Sequence, residues 1–210
     1  MKKSILLLSV FAVIAATTGY GVRTALNLSR KGKAPAYTIV WQVTDYSSDG
    51  TSRPRYFETR YVSGNGRWHS LKSGDTKEEG FGEPGKGVFA RHGHKLYFVS
   101  EYSARPVVTE EELMNSPDFL RVDNVLSYKA IVVSSGNRPR TGSEFYKVPA
   151  LGGHILKIVI ADSASGPKTV YEPISFTLGE PEASAVTMPN NLPVDFESIK
   201  ERRHAANPRH

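Results

Sequence analysis

The stretch "YTIVWQVTDY" (residues 37–46) opens the part of the chain in which a fold can be recognised. Large apolar side chains alternate here with threonine and glutamine, the apolar ones being Tyr37, Ile39, Trp41 and Val43. An alternation of period two is typical of a β-strand with one buried face. The stretch therefore predicts a half-buried strand, and the segments that follow it repeat the pattern.

Further strand signals lie outward from this one. "RYFETRYVS" and "RWHSLK" flank "GNG" (64–66), and Asn-Gly supplies the positive φ that a tight hairpin needs. "HGH" joins "GVFAR" to "KLYFVSEY", and four more segments follow: "LSYKAIVVSS", "SEFYKVP", "HILKIVIAD" and "TVYEPISFTL". We predict about nine strands and a mainly β fold: a curved, half-barrel-like antiparallel sheet with a short helical cover.

Two segments interrupt the strand pattern. The glycine-rich stretch 73–87 predicts a long connection or an exposed flap. Thr109 followed by Glu112 forms a capping box, which predicts a short helix over "TEEELMN". "PDFLR" (117–121) predicts one more helical turn. Together these helical turns form the expected cover of the sheet.

The N-terminus carries an export signal or an anchor. Lys2 and Lys3 precede an uncharged run over residues 5–22, which predicts one hydrophobic helix. We favour an uncleaved anchor with an exported domain over a cleaved signal peptide and a secreted or periplasmic product. Basic residues shortly after the run leave a cytoplasm-facing domain as a third alternative.

The charge distribution argues against nucleic-acid binding. The net charge is +6, but residues 1–33 hold six basic residues and no acidic one, so residues 34–210 are neutral. A nucleic-acid binder usually carries a basic domain or stripe, and this part of the chain has none in its composition. Because the chain has no cysteine, disulfide frameworks and thiolate metal sites are excluded.

Catalytic and metal-binding patterns are weak, and we predict a protein that is not an enzyme and needs no cofactor or metal. His92 and His94, with His69 as a third ligand, could chelate a metal, but a polar hairpin turn explains the pair better. Glutamates within the strands usually lie on the solvent face, paired with cations across strands. Two of them converging in a cleft would indicate a hydrolase; the candidates are Glu58, Glu101, Glu144 and Glu172.

Aromatic residues occur on nearly every predicted strand, and most of them must fill the core. A strongly curved sheet under a thin cover could keep a groove that accepts an acyl chain. For this groove we predict three apolar strand residues as ligand contacts: Trp41, Trp68 and Phe98.

The second half of the chain resembles the bacterial periplasmic lipoprotein carriers (LolA/LolB-like). The similarity lies in the layout of "SYKAIVVSS", "SEFYKVPALGGHILKIVIAD", "YEPISFTLGEP" and "PNNLPVDF", and in strand order it extends over residues 37–196. The stretch "PALGG…LK" followed by "YEPIS" is also similar to uncharacterised exported bacterial proteins. The resemblance to the carriers implies an open, curved antiparallel sheet covered by helices that binds lipid acyl chains.

We therefore divide the chain into a signal peptide or anchor (1–22), a linker (23–36), a β-rich domain (37–196) and a flexible charged tail (197–210). The leading hypothesis is a non-enzymatic domain of the cell envelope, held at the membrane by residues 5–22, that binds a lipid or another hydrophobic ligand. A protein-interaction or scaffold module of the envelope is the alternative, and a hydrolase using strand carboxylates is the second alternative.

Overall fold

The computed structural model describes residues 35–74, 78–103, 106–134, 142–161, 163 and 165–196. The predicted anchor (1–22), nearly all of the linker (23–36) and the predicted tail (197–210) lie outside these ranges. Within them, every helix is too short or too polar to cross a bilayer.

The described residues contain twelve strands, which form a single sheet. Their bounds are β1 Tyr37–Tyr46, β2 Ser52–Val62, β3 Trp68–Ser73, β4 Glu79–Glu83, β5 Gly87–His92, β6 Lys95–Ser100, β7 Phe119–Val125, β8 Tyr128–Ser134, β9 Glu144–Val148, β10 His154–Ala161, β11 Lys168–Leu178 and β12 Val194–Asp195. The α-helix α1 spans Glu110–Met114, and two 3₁₀ helices span Pro149–Leu151 and Ala183–Val186. The mainly β fold class predicted from the alternation is confirmed.

The sheet is open and curved, and its order is β12-β6-β5-β4-β3-β2-β1-β11-β10-β9-β8-β7. Two antiparallel runs of consecutive strands, β1 to β6 and β7 to β11, meet where β1 pairs with β11. Only β12, paired with β6, is parallel to its neighbour among the described strands. The connection between β6 and β7 therefore joins strands from opposite parts of the sheet.

In an antiparallel sheet, directly opposed residues on neighbouring strands point to the same side. The pairing around β1 therefore shows which side chains share each of the two faces. We call the side that carries Ile39 and Trp41 the front face. Arg60 lies opposite Ile39, Glu58 opposite Trp41, and Trp68 opposite Val62, so these residues share the front face. The back face carries a row of aromatic residues on successive strands: Tyr61, His69, Phe81, Phe89 and Phe98.

The β6–β7 connection contacts the front face through Tyr102 and the opposite side of β8 through α1. The Tyr102 hydroxyl donates a hydrogen bond to the Gly66 carbonyl at 2.8 Å, and its ring meets Trp68 edge-on. Further on, the Val108 amide donates to the Gly152 carbonyl. Leu113 of α1 is buried with Ile131 and Val133 of β8. The capping box at Thr109 is present, which confirms the predicted helix start.

The C-terminal segment 179–196, which we call the strap, covers part of the back face. Its half-buried apolar residues pack against the buried side chains of Phe81, Phe89 and Leu96; they are Met188, Leu192 and Val194. The Ala185 carbonyl also lies 2.8 Å from Nδ1 of His69. The back-face aromatics of β3 to β6 are therefore shielded from solvent by the strap.

Two sequence-based predictions are wrong. The stretch 73–87 contains β4, which pairs with β3 and β5, so it is not one long connection. "PDFLR" does not make a helical turn, because β7 begins at Phe119 and pairs with β8. In both places the local composition favours a loop or helix, whereas pairing with a neighbouring strand decides the structure.

Candidate ligand-binding site

Two of the three predicted ligand contacts come together on the front face. Trp41 on β1 and Trp68 on β3 lie on either side of Arg60 on β2. The Arg60 guanidinium carbon is 5.2 Å from the centre of each indole ring, which is within the range of a cation–π interaction. We call Trp41, Glu58, Arg60 and Trp68 the front cluster.

Glycines in β4 create the space for one of these indoles. Gly82 pairs directly with Trp68. A Cβ atom built on Gly82 would lie 2.0 Å from Nε1 of Trp68, and one on Gly80 would lie 3.3 Å from the same ring. In the sequence, Gly80 and Gly82 look like loop residues. In the structure they belong to strand β4, which needs glycine at these positions because the Trp68 ring lies across them.

Glu58 gives the front cluster its negative charge. Its carboxylate accepts a hydrogen bond from Nη2 of Arg60 at 2.9 Å, and its side chain is 5% exposed. The prediction that strand glutamates face solvent is wrong for Glu58, because positions 58 and 60 of one strand share the buried front face. The pairing compensates the cost of burying the carboxylate.

Arg60 keeps an unused hydrogen-bond donor. Its Nε is buried and has no hydrogen-bond partner among the described residues, although 34% of the side chain is exposed. A buried N–H without an acceptor is costly, so the site favours any ligand that offers an oxygen atom there. A carboxylate, phosphate or ester carbonyl would supply that acceptor.

The surroundings of the front cluster hold it in place. Nε1 of Trp41 donates to the Leu156 carbonyl, which fixes the buried indole against β10. Next to Glu58 along the strand, the hydroxyls of Tyr56 and Tyr171 lie 3.2 Å apart. Burial, followed by this hydrogen bond, raises the pKa of Tyr171.

The third predicted contact, Phe98, lies elsewhere. It belongs to the back-face row and packs against Phe89 and Phe196, with ring centres 5.8 and 6.3 Å apart. Phe196 also lines a shallow, open depression of about 440 Å³, together with Lys95, Pro193, Val194 and Asp195. The structure thus separates Phe98 from Trp41 and Trp68.

Three of the four carboxylates of the hydrolase alternative have cationic partners, and the fourth, Glu101, is exposed. Glu144 accepts two hydrogen bonds from Arg121, at 2.7 and 2.8 Å, and one from the Tyr146 hydroxyl. The bond from Arg121 lowers the pKa of Glu144, the opposite of what a general acid needs. Glu172 pairs with Lys157 at 2.6 Å, and Glu58 pairs with Arg60.

The histidines do not form a metal cluster with acids in the described part of the chain. His69 is stacked on Phe81, with ring centres 4.3 Å apart, and Tyr61 lies on its other side at 6.2 Å. Its Nε2 is 3.8 Å from a carboxylate oxygen of Glu79. His92 pairs with Lys95 where β5 turns into β6, as the hairpin prediction requires.

Sequence reasoning missed Arg60, which is the centre of the front cluster. The signal was present: a glutamate and an arginine two residues apart lie on one face of a strand, between two strands that each carry a tryptophan. Recognising it requires the register of three strands, and the alternation within one strand does not give that register.

No protein-family model and no curated protein matches the sequence. The solved structures similar to this chain are distant. An uncharacterised conserved protein from Thermus thermophilus is 11% identical, with a TM-score of 0.49, and the match covers 86% of this chain and 99% of the other. A LolA superfamily protein from Nitrosomonas europaea is 11% identical, with a TM-score of 0.30, and the match covers 80% and 97%.

MucB is another similar structure. In the Pseudomonas aeruginosa MucA/MucB complex, the matched chain is 12% identical with a TM-score of 0.43, and the match covers 80% of this chain and 60% of the other. This chain therefore spans less than two thirds of that longer chain. The structures similar to this chain thus include a member of the LolA superfamily, the family that the sequence resembles.

Proposed function

We propose that this protein is an exported, non-enzymatic β domain that binds an amphiphile on its front face. The oxygen-bearing head of the ligand accepts a hydrogen bond from Arg60, and its apolar chain lies along Trp68 and Tyr102. The observation that carries the proposal is the buried Nε of Arg60, which has no acceptor within the described part of the chain and belongs to a guanidinium lying between two indole rings.

The chemistry of the cluster favours an amphiphile over a purely apolar ligand. An apolar ligand would leave the Arg60 donor unsatisfied, whereas an acceptor atom satisfies it. Glu58 neutralises the guanidinium at one edge, which favours neutral or singly charged heads over strongly anionic ones. Trp41 is almost fully buried, so its role is to position Arg60, and Trp68 and Arg60 provide the contacts.

The location of the domain follows from the sequence. Lys2, Lys3 and the apolar run over residues 5–22 support an exported domain tethered to the membrane of the cell envelope, with a cleaved signal as the alternative. A membrane-held domain would meet lipids and other amphiphiles directly. The proposal requires no cofactor and no metal.

The test is native mass spectrometry of the full chain extracted from its own membrane. We expect co-purified lipid with the wild type and its loss in the variant E58Q/R60M. The double substitution is used because R60M alone would leave the Glu58 charge buried without a partner. Phe98→Ala is the matched control, since Phe98 packs on the back face, and it should retain the lipid.

Lipid retained equally by E58Q/R60M would contradict the front cluster as the site. Loss of lipid in Phe98→Ala alone would move the site to the depression beside Phe196. The mass of the chain in the same spectra shows whether residues 5–22 are retained or removed.

A further inference from the structure

The strand β7 ends the sheet with an unusual edge. Among the described strands it is the last in the order and pairs with β8 on one side only. Seven residues long, it contains no proline and no lysine, the residues that commonly protect such edges. Leu120 and Val122 are 46% and 45% exposed on it, and Leu126 and Met114 are exposed beside it. An edge with these properties favours pairing with another strand.

The sequence of β7, "FLRVDNV", is complementary to itself when two copies run antiparallel about Val122. In that register Arg121 of each copy lies opposite Asp123 of the other, and Val122 lies opposite Val122. Opposite charges on directly opposed residues stabilise antiparallel pairs, and like charges destabilise them. The symmetric register thus forms two ion pairs and one apolar contact.

The backbone supports the same register. Val125 and Tyr128 close a two-residue hairpin, and the closing pair of such a hairpin is hydrogen bonded. Because bonded and non-bonded pairs alternate, residues 121, 123 and 125 direct their backbone groups to β8. Residues 122 and 124 direct theirs away from the sheet. Symmetric pairing about Val122 uses the backbone N–H and C=O groups of residues 122 and 124, and these are the groups that point away from the sheet.

One local bond must change on pairing. The Asn124 amide now donates to Oδ1 of Asp123 at 2.7 Å. When Asp123 turns to Arg121 of the other copy, this amide is released and can donate across the new strand pair. Arg121 bonds Glu144 through Nη1 and Nη2, so it can keep these two bonds while its Nε, which lies 3.8 Å from Oδ2 of Asp123 in its own strand, pairs with Asp123 of the other copy.

We propose that β7 is the interface of a symmetric homodimer in which the sheets of two copies join edge to edge. Its partner is a second copy of this chain, since the charge pattern of the strand matches its own reverse. One strand pair buries less surface than a stable dimer needs, so the association is weak, with a Kd on the order of micromolar or above.

Disulfide trapping in the full-length chain tests the register. Because the chain has no cysteine, a single Val122→Cys introduces the only thiol. Opposed residues of a bonded antiparallel pair lie about 5.5 Å apart, within disulfide range. Under mild oxidation we expect at least tenfold more covalent dimer than with Ile174→Cys, an exposed residue on the interior strand β11. Equal yields would overturn the proposal.

A mixture of two cysteine variants tests which residues of the two β7 strands lie opposite each other. Leu120→Cys alone should not cross-link, because the two copies of residue 120 lie about 13 Å apart in this register. Mixed with Asn124→Cys, it should form the heterodisulfide. Cross-linking of Leu120→Cys with itself at the same yield would exclude the symmetric register.

A charge-reversal variant tests how much the ion pairs between the two β7 strands contribute to the affinity of the dimer. Asp123→Arg places arginines opposite each other twice, so we expect the dimer Kd measured by sedimentation velocity to rise about tenfold. Glu182→Arg changes the net charge equally at an exposed strap residue and should leave the Kd unchanged. A monomer at all concentrations up to about 0.5 mM in the wild type, or equal effects of both substitutions, would contradict the interface.

Discussion

At the scale of single residues, the front cluster depends on Gly82, a position that has no room for a side chain. Gly82 lies under the indole of Trp68, and a methyl group there would overlap Nε1 at 2.0 Å. The obstructing atom belongs to a ring wedged on the front face, so it cannot swing aside as the end of a flexible chain would.

Gly82→Ala should therefore destabilise the fold by about 1–3 kcal/mol, the usual cost of overpacking, because Trp68 must leave its place beside Arg60. Urea unfolding measures this change. Gly64→Ala is the matched control, since its new methyl group meets only the end of the Glu180 side chain, and it should cost less than about 0.5 kcal/mol. Similar losses in both variants would show that the Trp68 contact is not the cause.

A second residue-scale prediction concerns alkaline pH. Burial, helped by the hydrogen bond to Glu144, raises the pKa of Tyr146 to about 12 from the ordinary tyrosine value of 10.0. Between these two values the folded state binds more protons than the unfolded state, so stability must fall as the pH rises. Tyr128 and Tyr171, whose pKa values are also raised by burial, contribute in the same direction.

Between about pH 10 and 12, the free energy of unfolding should fall less steeply with pH in Tyr146→Phe than in the wild type, by the equivalent of up to one bound proton. Tyr128 and Tyr171 should still cause part of the fall. Chemical denaturation at a series of pH values gives the slope. Identical slopes in Tyr146→Phe and the wild type would mean that the hydroxyl ionises equally easily in the folded and unfolded states.

At the scale of elements, α1 shows how a short helix is held. It has five residues, too few to be stable alone, and its capping box and the buried Leu113 hold it on β8. Thr109→Ala removes the cap and should lower the Tm by about 2–4 °C, whereas Thr109→Ser should restore it. Faster hydrogen exchange confined to residues 110–115 would accompany the change, and an unaltered Tm would contradict the role of the cap.

Strands with clear alternation could be predicted from the sequence, and elements defined by their partners could not. β1 and the hairpin at residues 64–66 follow from the alternation and from Asn-Gly. β4 was missed because Gly80 and Gly82 indicate a loop until Trp68 is seen across them. β7 was missed because Pro117 and the preceding helix suggested more helix, although the pairing with β8 makes it a strand.

The candidate site could be predicted only in part. The buried position of Trp41 follows from the alternation within β1, whereas its sharing a face with Trp68 depends on the register of β1 to β3. That Arg60 lies between them, and that Phe98 lies on the back face, depends on the register of β1 to β6. The sequence of any one strand does not contain that register.

At the scale of the whole molecule, the front cluster contacts both strand runs and the β6–β7 connection, because Trp41 donates to Leu156 of β10 and Trp68 meets the ring of Tyr102. The central claim is that this cluster binds the polar head of an amphiphile through Arg60. The chain offers a direct probe, because it contains only two tryptophans, and both lie beside Arg60. Any change in tryptophan emission therefore reports on the proposed site.

The decisive measurement is a fluorescence titration of the full chain with myristate below the concentration at which it forms micelles. We expect a saturable change in tryptophan emission with one ligand per chain. The apparent Kd should be at least tenfold weaker in E58Q/R60M and unchanged in Phe98→Ala. A linear, non-saturating response, or the same Kd in E58Q/R60M as in the wild type, would contradict the central claim.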